Sequence, residues 1–140
     1  MLDIEPATAT ISGKKYTLEP CYIESTSLGY EDHGIFTAYL HVSYGGVKQK
    51  IGGMIMDKPV ERYSSERLGT AYGHDLIIRI LDTVGVGGWE KLPGKNLYAL
   101  KDERGHYYVA GIASWPSADK RLIFKEHAKK FYPEDDDSKG

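Results

Sequence analysis

The sequence predicts an α+β fold: an antiparallel sheet built from hairpins, in the order β-β-β-β-α-β-β-α, with helices packed on the sheet. Three observations carry this. Ile35 to Tyr44 alternates with period two, with Phe36, Ala38, Leu40, Val42 and Tyr44 on one face and Thr37, Tyr39, His41 and Ser43 on the other. The run leads into Gly45-Gly46, a hairpin signal because both central residues of a type I′ turn need positive φ. Leu76, Ile77, Ile80, Leu81 and Val84 recur at three and four residues between a capping Thr70 and a terminating Gly85, which predicts one amphipathic helix. Finally, Asn96 to Lys101 and His106 to Ser114 flank Asp102-Glu103-Arg104-Gly105, a second hairpin turn with Gly105 suited to a left-handed position.

The first two strands are Lys15 to Leu18 and Cys21 to Thr26, divided by Glu19-Pro20, where proline removes a ladder donor and marks a bulge or an edge. Val47 to Met56 returns from the Gly45-Gly46 turn. Its Gly52-Gly53 pair lies within the strand pattern, where missing side chains cost stability unless a bulge, a neighbouring backbone or a ligand needs the space. Gly69 and Gly73 form a smooth patch for close packing if the helix begins nearer Ser64. The run Val84-Gly-Val-Gly-Gly-Trp89-Glu90 reads as a loop whose tryptophan covers the core edge. Ser117 to Tyr132 reads as a second helix, with Ile123, Phe124, Ala128 and Phe131 opposite Lys120, Lys125, Lys129 and Lys130, stopped by Pro133. Residues 1–132 make one domain in this scheme, and 133–140 an acidic, disordered tail.

Composition narrows the function classes. With 140 residues, 41% hydrophobic and 27% charged, the chain falls in the globular range and outside disordered, collagen-like and coiled-coil compositions. Glycine (16) and tyrosine (11) are abundant, phenylalanine (3) scarce, a bias toward tight turns and wettable aromatic surface. No basic-then-apolar leader follows Met1 and no run reaches the ~18 apolar residues of a membrane span, so the expectation is a cytoplasmic protein without membrane contact. Net charge is −2, of which the tail holds −3, leaving the body at +1. Such a balance argues against a duplex nucleic-acid binder. Cys21 stands alone and reads as a small buried strand residue.

Few patterns carry chemistry. Glu31-Asp32-His33-Gly34 is the densest ionisable cluster, a divalent-metal or acid-base candidate on one reading and an Asx-type turn on the other. Tyr44-Gly-Gly-Val-Lys-Gln-Lys-Ile-Gly-Gly53 combines bare backbone with Lys48 and Lys50 on one strand face, and Gln49 can read an amide or base edge. This makes a chemically sensible phosphate cradle, although a hairpin and a bulge explain the segment equally well. Neither the Walker nor the G-x-G-x-x-G pattern is present. His74 opens the main helix, no metal-binding histidine spacing occurs, and no serine sits in a G-x-S-x-G elbow. Catalytic residues, metal and cofactor are therefore all expected to be none. Tyr30, Tyr39, Tyr44, Tyr98, Tyr107 and Tyr108 fall on or beside predicted strands, where they can serve a core edge, a subunit interface or a stacked base.

The segment Ser27-Leu-Gly-Tyr-Glu-Asp-His-Gly-Ile35, with Tyr44-Gly-Gly, Gln49, Gly52-Gly53 and Val84-Gly-Val-Gly-Gly-Trp89-Glu90-Lys-Leu-Pro-Gly94-Lys95, resembles a group of small tailed-phage proteins without an assigned role. The likeness spans approximately residues 22–112. The end departs from it, since Trp115-Pro116 and a basic helix stand where the group continues with a strand and an aromatic-rich ending. Some small phage proteins of this size act as sponges, oligomers that capture a nucleotide second messenger of host immunity without cleaving it. The resemblance implies, by analogy, a phage accessory anti-defence protein in the infected cell's cytoplasm, a homo-oligomer that sequesters a nucleotide signalling molecule. The ligand-binding residues expected are Lys48, Gln49, Lys50, Gly52 and Gly53, with Asp32, His33 and Tyr44 nearby. The alternatives are a protein-binding inhibitor of a host defence enzyme and a metal-dependent phosphodiesterase using Glu31, Asp32 and His33.

Overall fold

The computed structural model describes residues 7–30, 34–105 and 107–133. Strands β1 (Thr8–Ile11), β2 (Lys14–Tyr30), β3 (Phe36–Tyr44), β4 (Val47–Ile55), β7 (Asn96–Lys101), β8 (Gly111–Ser114) and β9 (Arg121–Ile123) form one antiparallel, curled sheet. Its order is β4-β3-β2-β7-β8-β9, with β1 paired to β2 off that path. A small ribbon of β5 (Asp57–Pro59) and β6 (Arg67–Gly69) leads into helix α1 (Ala71–Val84), and the short helix α2 (Phe124–Lys129) follows β9. The fold is α+β, as the hairpin and helix patterns predict.

Helix α1 forms where its period places it. Thr70 accepts the Gly73 N–H at 2.9 Å, and Gly85, at φ 91°, donates its own N–H to the Leu81 carbonyl at 2.8 Å. Gly73 earns its place by contact, because a Cβ there would lie 2.6 Å from Met56; Gly69 instead ends β6 and meets nothing. Leu76 and Ile80 then pack with Ile23, Leu40, Val42, Ile51, Leu97 and Ile112 into the main core. Each such side chain, once buried, contributes roughly 1.5–3 kcal/mol. Trp89, in a single 3₁₀ turn (Trp89–Lys91), packs against the same core. On the other face a smaller cluster joins Tyr16, Leu18, Leu100, Ala113 and Ile123.

Four expectations need correction. The two predicted N-terminal strands are one, since β2 runs unbroken through Pro20. Leu18 donates its N–H to Ala7, so the Pro20 nitrogen, two residues on, faces the same side. There it falls between the last β1 partner, Thr17, and the first β3 partner, Tyr22, where among the described residues no pairing draws a donor from it. Second, residues 117–123 are a turn and a strand instead of helix. Ser114 Oγ donates to Asp119 at 2.8 Å and accepts the Lys120 N–H at 3.0 Å, which holds the turn. Leu122 and Ile123 are then buried on opposite faces of the sheet, a period of two that a helix cannot supply. The helical period holds only from Phe124 onward. Third, the second hairpin returns at Gly111, five residues later than predicted. Fourth, β1, β5 and β6 are additional strands. Residues 134–140 of the predicted tail and His106 lie outside the described residues.

Candidate functional site

The β3–β4 hairpin carries most of the sequence-predicted residues, and its turn is the expected one: Gly45 and Gly46 have φ of 52° and 83°. Register then decides which side chains meet. Lys50 pairs with His41, Lys48 with Ser43 and Gly52 with Tyr39, while Gln49 pairs with Val42 and Ile51 with Leu40. Lys48 and Lys50 therefore share the face opposite the main core with Tyr39 and His41. Tyr44 and Gln49 sit on the core face, so the predicted cluster divides across the sheet.

On the outer face Lys50 Nζ lies 5.0 Å from the centre of the Tyr39 ring, and the Tyr39 and His41 rings stack at 6.3 Å and 28°. Ser27 Oγ meets His41 Nε2 at 2.7 Å, fixing the imidazole. Lys48 Nζ is 3.3 Å from Glu24, with both side chains open to solvent. Hydrogen bonds from Ser43 and Lys48 hold the Glu24 carboxyl below the usual carboxylate range. A cavity of about 300 Å³ is lined by Glu24, His41, Lys48, Gln49 and Lys50. The sequence names Tyr39 among the tyrosines that can serve an interface or a stacked base, and gives no site role to His41 or Ser27; the period-two face of β3 and a two-residue turn together imply the alignment of Tyr39 and His41 with both lysines.

The glycines have a more local explanation. A one-residue bulge interrupts the pairing between Tyr39–Gly52 and Thr37–Ile55, and Gly52 and Gly53 adopt φ of 125° and 83° there. A Cβ on Gly52 would meet the Ala38 carbonyl oxygen at 2.3 Å, and one on Gly53 would meet the Tyr39 ring at 2.9 Å. The chain itself fills the space these glycines leave, and Gly53 is the seat on which Tyr39 lies.

Behind the sheet, Tyr44 and Gln49 belong to a polar chain. Lys101, with its side chain 5% exposed, reaches Glu19 at 2.5 Å and donates to the Tyr44 hydroxyl at 2.8 Å. Tyr44 donates to Gln49 Oε1 at 3.0 Å, and Gln49 Nε2 donates to the Tyr107 carbonyl at 3.3 Å. Burial works against the Lys101 charge, but the bonds to Glu19 and Tyr44 outweigh it and raise its pKa. Gln49 thus ties β4 to the segment that follows the Asp102–Gly105 turn.

Glu31, Asp32 and His33 lie outside the described residues. The residues around them, Tyr30 and Phe36, pair across β2–β3 and border a cavity of about 330 Å³ with Arg67, Thr70 and His74. Arg67 clamps the buried Asp57 carboxylate through two bonds of 2.7 and 3.0 Å, which lowers the Asp57 pKa. Among the described residues no three His, Cys, Asp or Glu side chains gather as a metal-binding group, and no helix is long and apolar enough to cross a membrane. Cys21 is buried, and burial pushes its thiol up to about 11, which keeps it in the protonated, weakly nucleophilic form. No family model, curated protein or solved structure matches this chain.

Proposed function

We propose that this chain is a non-enzymatic accessory protein of a phage that blunts host defence by binding a nucleotide second messenger and holding it uncleaved. One observation carries the binding half of that reading: two lysines and two near-parallel rings, Lys48, Lys50, Tyr39 and His41, stand together on an open sheet face. Lysine ammonium groups are point charges suited to phosphate, and flat rings offer a stacking surface to any base. The bordering carboxylate, Glu24, engages Lys48 and leaves Lys50 over the Tyr39 ring. The phage and defence context rests on the resemblance carried by residues 22–112, and the expected homo-oligomer on the same analogy.

The test is native mass spectrometry of the protein isolated from cells with an active nucleotide-signalling defence, followed by heat release of whatever is bound. A nucleotide recovered chemically intact, and absent from a K48A/K50A variant, supports sequestration. Recovery of a cleaved product alone ends this reading in favour of a hydrolase. Retention of one host protein by both the wild type and K48A/K50A would instead establish a protein-binding inhibitor.

A further inference from the structure

Three segments far apart in sequence converge beside α2: the start of β2, the turn after β7, and α2 itself. They border an open cavity of about 230 Å³ whose lining includes Lys14, Arg104, Lys125 and Lys129. Among the described residues that line it, Glu126 is the one carboxylate. Two of the cations are held in place from behind. Asp102, its side chain fully buried, receives Arg104 at 2.6 and 3.0 Å and Lys14 at 3.3 Å. It also accepts the Arg104 backbone N–H at 2.9 Å. The carboxylate orients the two cations and does not itself line the cavity.

The Arg104 guanidinium stacks on the Tyr108 ring at 3.7 Å. This stacked pair, together with Lys125, also lines a second cavity, of about 450 Å³, whose remaining walls are chiefly apolar: Met54, Tyr72, Val109 and Phe124. A cationic chamber and an apolar, ring-lined chamber thus share one wall. Gln49, through its bond to the Tyr107 carbonyl, anchors that wall to β4, and Gly52 also lines the larger chamber.

We propose that the two chambers together take one nucleoside phosphate, its phosphates against Lys14, Arg104, Lys125 and Lys129 and its base against Tyr72, Val109 and Phe124. The chemistry of each half selects the ligand. Preorganised ammonium and guanidinium groups match phosphate oxygens, with Arg104 set in a fixed plane by its stack and its carboxylate. The apolar chamber accepts a flat, weakly polar ring and disfavours a bare anion. This site shares Gly52 and Met54 of β4 with the hairpin that carries Lys48 and Lys50, but none of its cations, and it stands or falls separately from that face.

ADP, pyrophosphate and adenosine serve as probes, titrated into the full chain at low salt by calorimetry, with amide chemical shifts recorded in parallel. Saturable ADP binding is expected, with shifts at Tyr108, Val109 and Phe124. Pyrophosphate and adenosine should each bind roughly tenfold or more weaker than ADP. A K125Q/K129Q variant, changed only at exposed side chains, should lose ADP affinity by roughly tenfold or more, whereas K58Q/K91Q, changed at two exposed lysines that line neither chamber, should keep it. The proposal is overturned by absence of saturable ADP binding, by pyrophosphate binding as tightly as ADP, or by loss of ADP affinity in K48A/K50A with retention in K125Q/K129Q. The shift map keeps the test decisive if the variant misfolds, because ADP shifts confined to Tyr39, His41 and Lys50 in the wild type also overturn it.

Discussion

The β3–β4 and β7–β8 hairpins share a topology and are held by different means. In β3–β4 the geometry comes from backbone freedom: Gly45, Gly46, Gly52 and Gly53 all adopt positive φ. Its charges stay in water, with the Lys48 side chain 77% exposed. In β7–β8 the geometry comes from buried charge. Lys101 closes the end of β7 onto Glu19, 82 positions away, and the turn beyond it folds around the fully buried Asp102 side chain. A turn set by glycine can be relaxed one residue at a time. A turn set by buried ions depends on partners that must all be present, because a lone buried charge is costly.

The largest effect expected from breaking this contrast is at Lys101. Lys101→Ala strands Glu19 and the Tyr44 hydroxyl, and should cost about 2–3 kcal/mol in urea unfolding; a loss below about 1 kcal/mol would mean the buried pair does not hold the hairpin. An E19L/K101M double variant should recover much of the loss, since an apolar pair of similar volume avoids desolvating two charges. Next comes Gly52→Ala. Its new Cβ would lie 2.3 Å from the Ala38 carbonyl oxygen at a φ of 125°, a clash with backbone that should cost about 2 kcal/mol. Gly46→Ala, at φ 83° with none of the described residues within 4 Å of the new Cβ, should cost about 1 kcal/mol. Equal losses at the two sites would show that conformational preference alone, and not the bulge contact, explains Gly52.

The same contrast separates what the sequence shows from what it hides. Period two in β3, the Gly45-Gly46 turn, the α1 stripe and both α1 caps are local patterns, each readable within a dozen residues. The outer-face platform was legible in principle, because a two-residue turn fixes register and hence places Tyr39 and His41 beside Lys50 and Gly52. Hidden were the features that depend on remote partners. Pro20 reads as a bulge or an edge dividing two strands because nothing local shows that β2 continues through it, with no pairing on its nitrogen side among the described residues. Residues 121–123 looked helical because Ile123, Phe124 and Ala128 fit a helical stripe, while the burial of Leu122 and Ile123 on opposite faces exists only once the sheet curls. The cationic chamber draws on residues 14, 104, 125 and 129, which no window on the sequence brings together.

An effect as small as that at Gly46 sharpens the comparison through pH. Arg104 beside Asp102 holds its carboxyl well below the usual carboxylate range, burial opposing and the Arg104 N–H and Lys14 assisting. An unfolded aspartate titrates near 3.9, so the folded pKa is the depressed one. The stability this group contributes is then fully present above the unfolded value and is lost as pH falls through the folded value. Asp102→Asn keeps a side chain of similar size and should cost only about 1 kcal/mol at pH 7, since both cations it engages are partly in water. The gap between wild type and variant should hold from pH 7 to about 5 and close on acidification below about 4. Thermal midpoints across that range are the measurement. A gap that persists unchanged into strong acid would mean that Asp102 supports the β7–β8 turn by shape and hydrogen bonding alone, and the division between a glycine-set and a charge-set hairpin would have to rest on Lys101.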